Sequence, residues 1–341
     1  MNKFECINLS NDPSRWSEAL SRFPDAGAGH LFSWGHIIWC AYGMENRYLA
    51  AIRKNKICGL LPLVEIKSRI FSSAFVSMPY LNDGGILSMD IETEQFLWGK
   101  ACAEMRLSRS NYLELRHSSE RSIKVSPRTD KISMVLDLSG GKGSVWMNKL
   151  HRNVRNKIRK SQKLGVDIRK GSDCLPVFYD MHVRNMQELG SPAHSYRFFE
   201  EAVKSFGDDL LVYAAFVNNS PVGGKIVLYA NDTVYFLWVS SPSVFRKYAA
   251  VSLLDWAAIE DAIEQGVKQC DFGRSTVGST HYEFKKKWGA EIKQLYWHVY
   301  PEGNDSNRVS NTIQAFSYMW KKLPLFLVKW LGPRIRGGIP Q

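Results

Sequence analysis

The chain runs twice through one order of segments, and this repetition limits its fold more than any other feature. Tyr48 to Arg53 is an apolar, strand-like run. A polar turn, Lys54 to Lys56, leads to Gly59, and LLPLVEI from Leu60 to Ile66 is a second run. A third apolar run spans Ser73 to Met78, a helical pattern lies near Ile91 to Leu107, and Tyr112 to Arg116 reads as a further strand. The order then returns. Leu210 to Val217 is followed by a turn, Asn218 to Ser220, by Gly223 and Gly224 before KIVLYA, and by TVYFLWVSS from Thr233. A helical segment, Val251 to Gln265, and a strand, Val267 to Phe272, complete the second set. The polar turn and the glycine recur at matching places, which points to an internal duplication. Strand–turn–strand–strand–helix–strand predicts the α/β (α+β) class, with mixed sheets and helices on both faces. The predicted domains are residues 1–140, residues 141–300 with a basic entry helix at 145–164, and a basic amphipathic tail, 301–341.

Size and charge fit this division. A chain of 341 residues, 45% apolar, can bury two ordinary cores. Its net charge is +12, but the charge is unevenly spread. Lys142, Lys149, Arg152, Arg155, Lys157, Arg159, Lys160 and Lys163 lie in one acid-free stretch. Arg308, Lys321, Lys322, Lys329, Arg334 and Arg336 lie in another, so the rest of the protein is near neutral. This argues against a general nucleic-acid coat and for two local anionic partners. The six cysteines are scattered, and neither they nor the eight histidines show metal-ligand spacing, so no metal is assigned. The first residues, MNKFECINLSNDPSRW, lack the apolar region of a signal peptide, and no run approaches a bilayer span. A cytoplasmic location is the expectation.

Three segments carry candidate chemistry. Asp271 to Gly289, DFGRSTVGSTHYEFKKKWG, follows a helix and a strand, and a strand that ends in a polar, Gly-containing loop commonly holds an anionic group. Tyr282, Phe284 and Trp288 interleave with lysines there, so the segment is expected to be half buried. Asp271 and Arg274 are candidates for catalysis or for a structural ion pair. Val145 to Leu164 reads as one helix with an apolar stripe of Met147, Leu150, Val154 and Ile158. Its Arg152, Arg155 and Arg159 suit bidentate contacts to phosphates or a tRNA acceptor end. Ser77 to Ile86, SMPYLNDGGI, is a loop by its Pro, Asn, Asp and paired glycines.

The paired runs Asp271-Phe272-Gly273-Arg274-Ser275 and Phe284-Lys285-x-x-Trp288-Gly289 resemble the closing signature of the FemAB-like, double-GNAT acyltransferases. The branch associated with exopolysaccharide and PEP-CTERM loci is the most similar. The resemblance extends from about His30 to the C-terminus. It includes Lys163, Gly165 and Val166 after the Arg-rich helix, and Pro79, Tyr80, Gly84 and Gly85 in the loop. It implies tandem GNAT-like domains and direct acyl transfer without a covalent enzyme intermediate or a tightly bound cofactor. Lys285 would be the cation for the developing oxyanion. Tyr80, Gly84 and Gly85 would line the acceptor cleft. Asp83, the one carboxylate in that loop, would contact the acceptor or take up a proton. Tyr282 and Trp288 would lie against substrate.

Two departures bear on the substrates. Simple GNAT enzymes hold the coenzyme A pyrophosphate with R-x-x-G-x-[GA] at a helix N-terminus. FRKYAAV, Phe245 to Val251, keeps Arg246 but has Ala249 and Ala250 near the glycine positions. An aminoacyl-tRNA donor fits that departure better than acetyl-CoA, with acyl-CoA or an acyl carrier as the other donors. The bridge-forming relatives place a Lys shortly after a Trp near the N-terminus, whereas Trp34 here is followed by Gly35, His36, Ile37 and Ile38. The expected activity is acyl or aminoacyl transfer to an amine or hydroxyl of a cell-envelope or exopolysaccharide precursor. The alternatives are a non-catalytic double-GNAT module that binds tRNA or an anionic polymer, and an acetyl-CoA-dependent N-acetyltransferase. The tail, Ala315 to Ile335, is broken by Pro324 and expected to end at Pro333. It reads either as a docked helix or as an interfacial anchor at the inner face of an anionic membrane.

Overall fold

The computed structural model describes residues 4–68, 72–303 and 311–339, which form two compact units. The first draws on residues 4–132, 294–303 and 337–339, the second on 133–293 and 311–336. In chain order the strands are β1 (Glu5–Asn8), β2 (Asn46–Arg53), β3 (Lys56–Ile66), β4 (Ala74–Val76), β5 (Leu87–Ser88), β6 (Tyr112–His117) and β7 (Pro127–Arg128). They continue with β8 (Ile132–Asp137), β9 (Asp167–Lys170), β10 (Leu210–Val217), β11 (Ser220–Ala230), β12 (Thr233–Ser240), β13 (Gln269–Ser275), β14 (Glu291–Gln294) and β15 (Tyr296–Tyr300). The sheet of the first unit has the order β1-β2-β3-β4-β6-β15-β7, with β5 also on β3. That of the second has the order β14-β8-β13-β12-β11-β10-β9.

The duplication extends to register. The β2–β3 hairpin turns through Lys54 and Asn55 at φ 50° and 58°, and the β10–β11 hairpin through Asn218 and Asn219 at 49° and 62°. Two successive residues at positive φ make the type I′ turn, whose twist matches that of paired strands. Each hairpin shifts register just before its turn, at Ala51/Ile52 and at Ala215/Phe216. The recurring glycine faces the same place in both, Ala51↔Gly59 and Ala215↔Gly223. Antiparallel pairing continues to β4 and β12, and a helix then leads to a parallel neighbour, β6 or β13. Both sheets are therefore mixed, as expected from the order of segments.

Gly59 lets its crossover helix approach, whereas Gly223 leaves room. A Cβ on Gly59 would lie 2.6 Å from Thr93 Cγ2 and 2.8 Å from Leu97 Cδ1, both on helix Ile91–Leu107. At Gly223 the nearest atoms are 3.3 Å or farther. Gly59→Ala is thus expected to cost about 1–3 kcal/mol by overpacking, and Gly223→Ala less than about 1 kcal/mol. Urea denaturation of the two variants checks this order, and equal costs would count against it. Helix Ile91–Leu107 starts at Asp90, whose side chain accepts from Thr93 N, and buries Leu97, Ala101, Cys102 and Met105 on the first sheet. Helix Ala250–Glu264 buries most of its residues from Ala250 to Ala262, Asp255 among them.

Several segments differ from their sequence reading. Val145 to Leu164 is not one helix. A π-helical turn, Val145–Lys149, ends at Leu150 with ψ 124°, and helix Arg152–Lys163 starts anew after His151, whose ring accepts from Asn153 N. Strand β15, within the span read as the second domain, pairs with β6 from Tyr296↔His117 to Tyr300↔Leu113. Trp297 there lies 4.4 Å from the Arg116 guanidinium. The tail forms helices Asn311–Lys322 and Leu325–Arg336, broken near Pro324, but Pro333 lies inside the second rather than ending it. Trp320 and Val328 are buried with Val183 and Ala193, so these helices pack on helix Leu175–Leu189. No helix among the described residues is long and apolar enough to cross a membrane.

Candidate functional site

Within the second unit, a strand ladder stops where buried charges begin. Strands β12 and β13 pair from Thr233↔Gln269 to Tyr235↔Asp271, while β12 runs on to Ser240 and β13 to Ser275. Beyond the last pair, the carbonyls of Gly273 and Arg274 accept hydrogen bonds from Lys285 Nζ, each at 2.8 Å. Lys285 sits on the short helix Thr280–Lys286, whose start is fixed by Ser279 Oγ accepting from Tyr282 N. Its side chain is only 9% exposed. Burial lowers its pKa to about 8, with Lys225 and Arg274 adding to the effect and Asp271 and Asp255 opposing it. An ammonium carries three donors, and two are taken up by these carbonyls.

The neighbouring charges are equally buried. Lys225 on β11 is 2% exposed, and its Nζ lies 2.8 Å from Asp255 Oδ1 and 3.3 Å from the Phe236 ring centroid. Burial raises the Asp255 pKa, and Lys225 opposes that rise. Asp271 is held by the Ser133 hydroxyl and by the Gly273 N–H at 2.7 Å. The Lys225–Asp255 pair was not among the residues expected from sequence. A signal was present, because Lys225 is the one charge from Gly223 to Ala230 and Asp255 the one charge from Ala250 to Ile259. Trp288 is fully buried against Phe272 and Phe284. Gly289, at φ +79°, follows because a Cβ there would lie 2.8 Å from the Lys149 carbonyl oxygen.

The basic candidates are placed differently from one another. Arg155 turns its Nη1 to the carbonyls of Trp146, Met147 and Leu150 and so closes the C-terminal end of the π-helical turn. Arg152 and Arg159 are exposed, with the Arg159 guanidinium 5.4 Å from the Trp146 ring centroid. Tyr282 is half-buried, with Lys286 over its ring. Arg246 is exposed on the 3₁₀ turn Ser243–Tyr248. Ala249 then takes φ 54° and ψ 29°, and helix Ala250–Glu264 starts without a side-chain cap. The chain thus makes, with alanine, the left-handed residue that glycine supplies more easily.

Tyr80, Asp83, Gly84 and Gly85 lie in the first unit. Asp83 Oδ1 accepts from Gly29 N at 2.7 Å, and a Cβ on Gly27 would lie 1.8 Å from its other oxygen. The carboxylate therefore ties the loop to the 3₁₀ turn Ala28–His30. Tyr80, at φ 71°, donates to the Gly337 carbonyl at 3.0 Å. Gly85 donates to Arg116 O, and its own carbonyl lies 2.9 Å from His30 Nε2. His117 Nε2 accepts from Ile86 N, which leaves its Nδ1 to donate to His298 Nδ1 at 3.1 Å. Burial lowers the pKa of all three imidazoles, that of His298 to about 4. At Gly85 a Cβ would lie 2.3 Å from the His117 ring and 2.7 Å from Arg116 O. Gly85→Ala is expected to cost at least about 1–3 kcal/mol, read as a lower denaturation midpoint. An unchanged midpoint would show that the loop adapts.

Comparison with known proteins adds to this geometry. Residues 148–286 match the family model of the acetyltransferase (GNAT) domain, and that span includes Lys225, Asp255, Asp271 and Lys285. No curated protein matches the chain. Among solved structures, FemX is similar with a TM-score of 0.65 at 13% identity, over 86% of this chain and 96% of its own. A tandem GNAT protein from the clavulanic acid biosynthesis pathway gives 0.56 at 11%, over 87% and 98%. The C-terminal domain of a putative lysylphosphatidylglycerol synthetase from Agrobacterium fabrum gives 0.57 at 10%, over 85% and 92%. The likeness is one of fold, a tandem GNAT architecture of two mixed α/β units.

Proposed function

We propose that this chain is an acyltransferase that moves an acyl or aminoacyl group to an amine or hydroxyl of a cell-envelope or exopolysaccharide precursor. The observation that carries the proposal is the buried Lys285 ammonium at the end of the β12–β13 ladder, with one donor remaining beside two fixed carbonyl contacts. In transfer, the acceptor nitrogen or oxygen attacks the donor carbonyl, and the carbon–oxygen or carbon–sulfur bond of the donor then breaks. The acceptor proton leaves with the departing alkoxide or thiolate. The remaining Lys285 donor stabilises the oxyanion between these steps. The GNAT-domain match over this segment supports the reaction class. A structural neighbour named for lysylphosphatidylglycerol is in keeping with an envelope acceptor.

Acyl-CoA is a second reading for the donor, and Ala249 favours it. The glycines of the coenzyme A motif are missing, yet Ala249 adopts the positive φ that a glycine would supply before helix Ala250–Glu264. Arg246 lies just ahead of that helix. The donors are separated by incubating the protein with aminoacyl-tRNA or acyl-CoA and amine-bearing envelope or polysaccharide acceptors, then reading acceptor mass. A mass increase that requires Lys285 supports the proposal and names the donor. Tight binding of tRNA or polymer without transfer from either donor would replace it with the non-catalytic binding module.

A further inference from the structure

We infer that the two C-terminal helices hold the protein peripherally on an anionic phospholipid surface. The sequence sets docking on the core against membrane contact, but the packing assigns these to opposite faces. Trp320, Val328 and Gly332 face the protein, against Val183 and Ala193. Tyr318, Met319, Phe326 and Trp330 are each more than half exposed. On the second helix Phe326, Trp330 and Arg334 recur every fourth residue and so share one outward stripe. Lys321 and Lys322 are exposed beside Tyr318 and Met319 on the first.

The chemistry of this face selects its partner. Lys321, Lys322, Lys329 and Arg334 are exposed on these helices, whereas Arg336 is buried, and residues 306–341 contain no acid. On the helix beneath, Asp180 is engaged by Lys329 at 2.6 Å and by Arg184 at 3.1 Å. Lys322 lies 4.1 Å from the Tyr318 ring centroid and Arg334 4.4 Å from that of Trp330, so each of these cations sits over an aromatic ring of its own helix. Aromatic rings at the headgroup boundary, with lysine and arginine among anionic headgroups, is the arrangement of an interfacial segment. A nucleic acid would make use of the cations but would leave Met319 and Phe326 in water. A second copy of the same face would bring like charges together.

Full-length protein and sucrose-loaded vesicles test the inference without reference to transferase activity. Vesicles of equal phosphatidylglycerol and phosphatidylcholine should sediment the protein at least tenfold more strongly than phosphatidylcholine alone. Raising salt from about 0.1 M to about 0.5 M should weaken that binding severalfold. Two variants probe the face, Phe326→Ser with Trp330→Ser, and Lys321→Gln with Lys322→Gln. Each should lower binding about tenfold and leave the melting temperature within a few degrees, because none of these side chains is buried. If wild-type protein stays in solution at millimolar anionic lipid, or both variants bind as well as wild type, the inference is wrong. Self-association that disappears in these variants, without vesicle binding, would assign the face to a second copy instead.

Discussion

Asp255→Ala should lower the unfolding free energy by about 3–5 kcal/mol, the expected cost of removing one partner from a buried ion pair. Lys225 would be left 2% exposed above the Phe236 ring, with its 2.8 Å acceptor gone. The desolvation cost of an ammonium there is met in the native protein by Asp255. Replacing both charges, Lys225→Met with Asp255→Leu, should recover most of the loss, because an apolar pair needs no hydration. Urea denaturation of the two single variants and the double gives the coupling directly. A single substitution that costs less than about 1 kcal/mol would mean that water reaches this pair.

Lys285→Met should lower turnover by about 10²–10³-fold, the usual effect of losing one oxyanion donor. Its net effect on stability at neutral pH should stay within about 2 kcal/mol, because the carbonyls of Gly273 and Arg274 lose their partner while the cost of burying the ammonium is removed. The two effects separate by pH. The folded-state pKa is lowered to about 8 from 10.5, so the unfolded chain binds more protons between these values. Stability therefore rises with pH across that window, by up to about 3 kcal/mol from this group, and the full penalty is present below it. Turnover that depends on the ammonium falls over the same window. Opposite pH slopes of stability and turnover, both lost in Lys285→Met, identify the residue as a transition-state donor. A stability slope that disappears while turnover is untouched would make Lys285 purely structural.

The local parts of the site were readable because their causes are local. Asp271, Gly273 and Lys285 lie close in sequence, and the Ser279 cap between them depends on a neighbouring residue, Tyr282. The loop glycines were also visible, but not their reason, since Gly85 is required by His117 and Arg116 on another strand. Asp83 could be picked out as the single carboxylate of its loop. Its tie to Gly29 could not, because that contact joins segments 54 residues apart. Arg155 shows the same limit. Its charge suggested phosphate binding, whereas a helix break at Leu150 gave its guanidinium three carbonyls to close.

The repeated strand–turn–strand–strand–helix–strand plan is written locally along the chain. Turn residues, apolar periodicity and caps act over a few positions, and both hairpins bear the same turn and bulge. Which distant groups share a buried place follows from the packing of the folded chain. It set Lys225 on a strand against Asp255 on the helix 30 residues later, and β15 beside β6 across 181 residues from His117 to His298. It also placed Trp320 and Val328 inward while Phe326 and Trp330 face out. Packing and desolvation make these choices, and both depend on what else is buried nearby, which no short stretch of chain specifies.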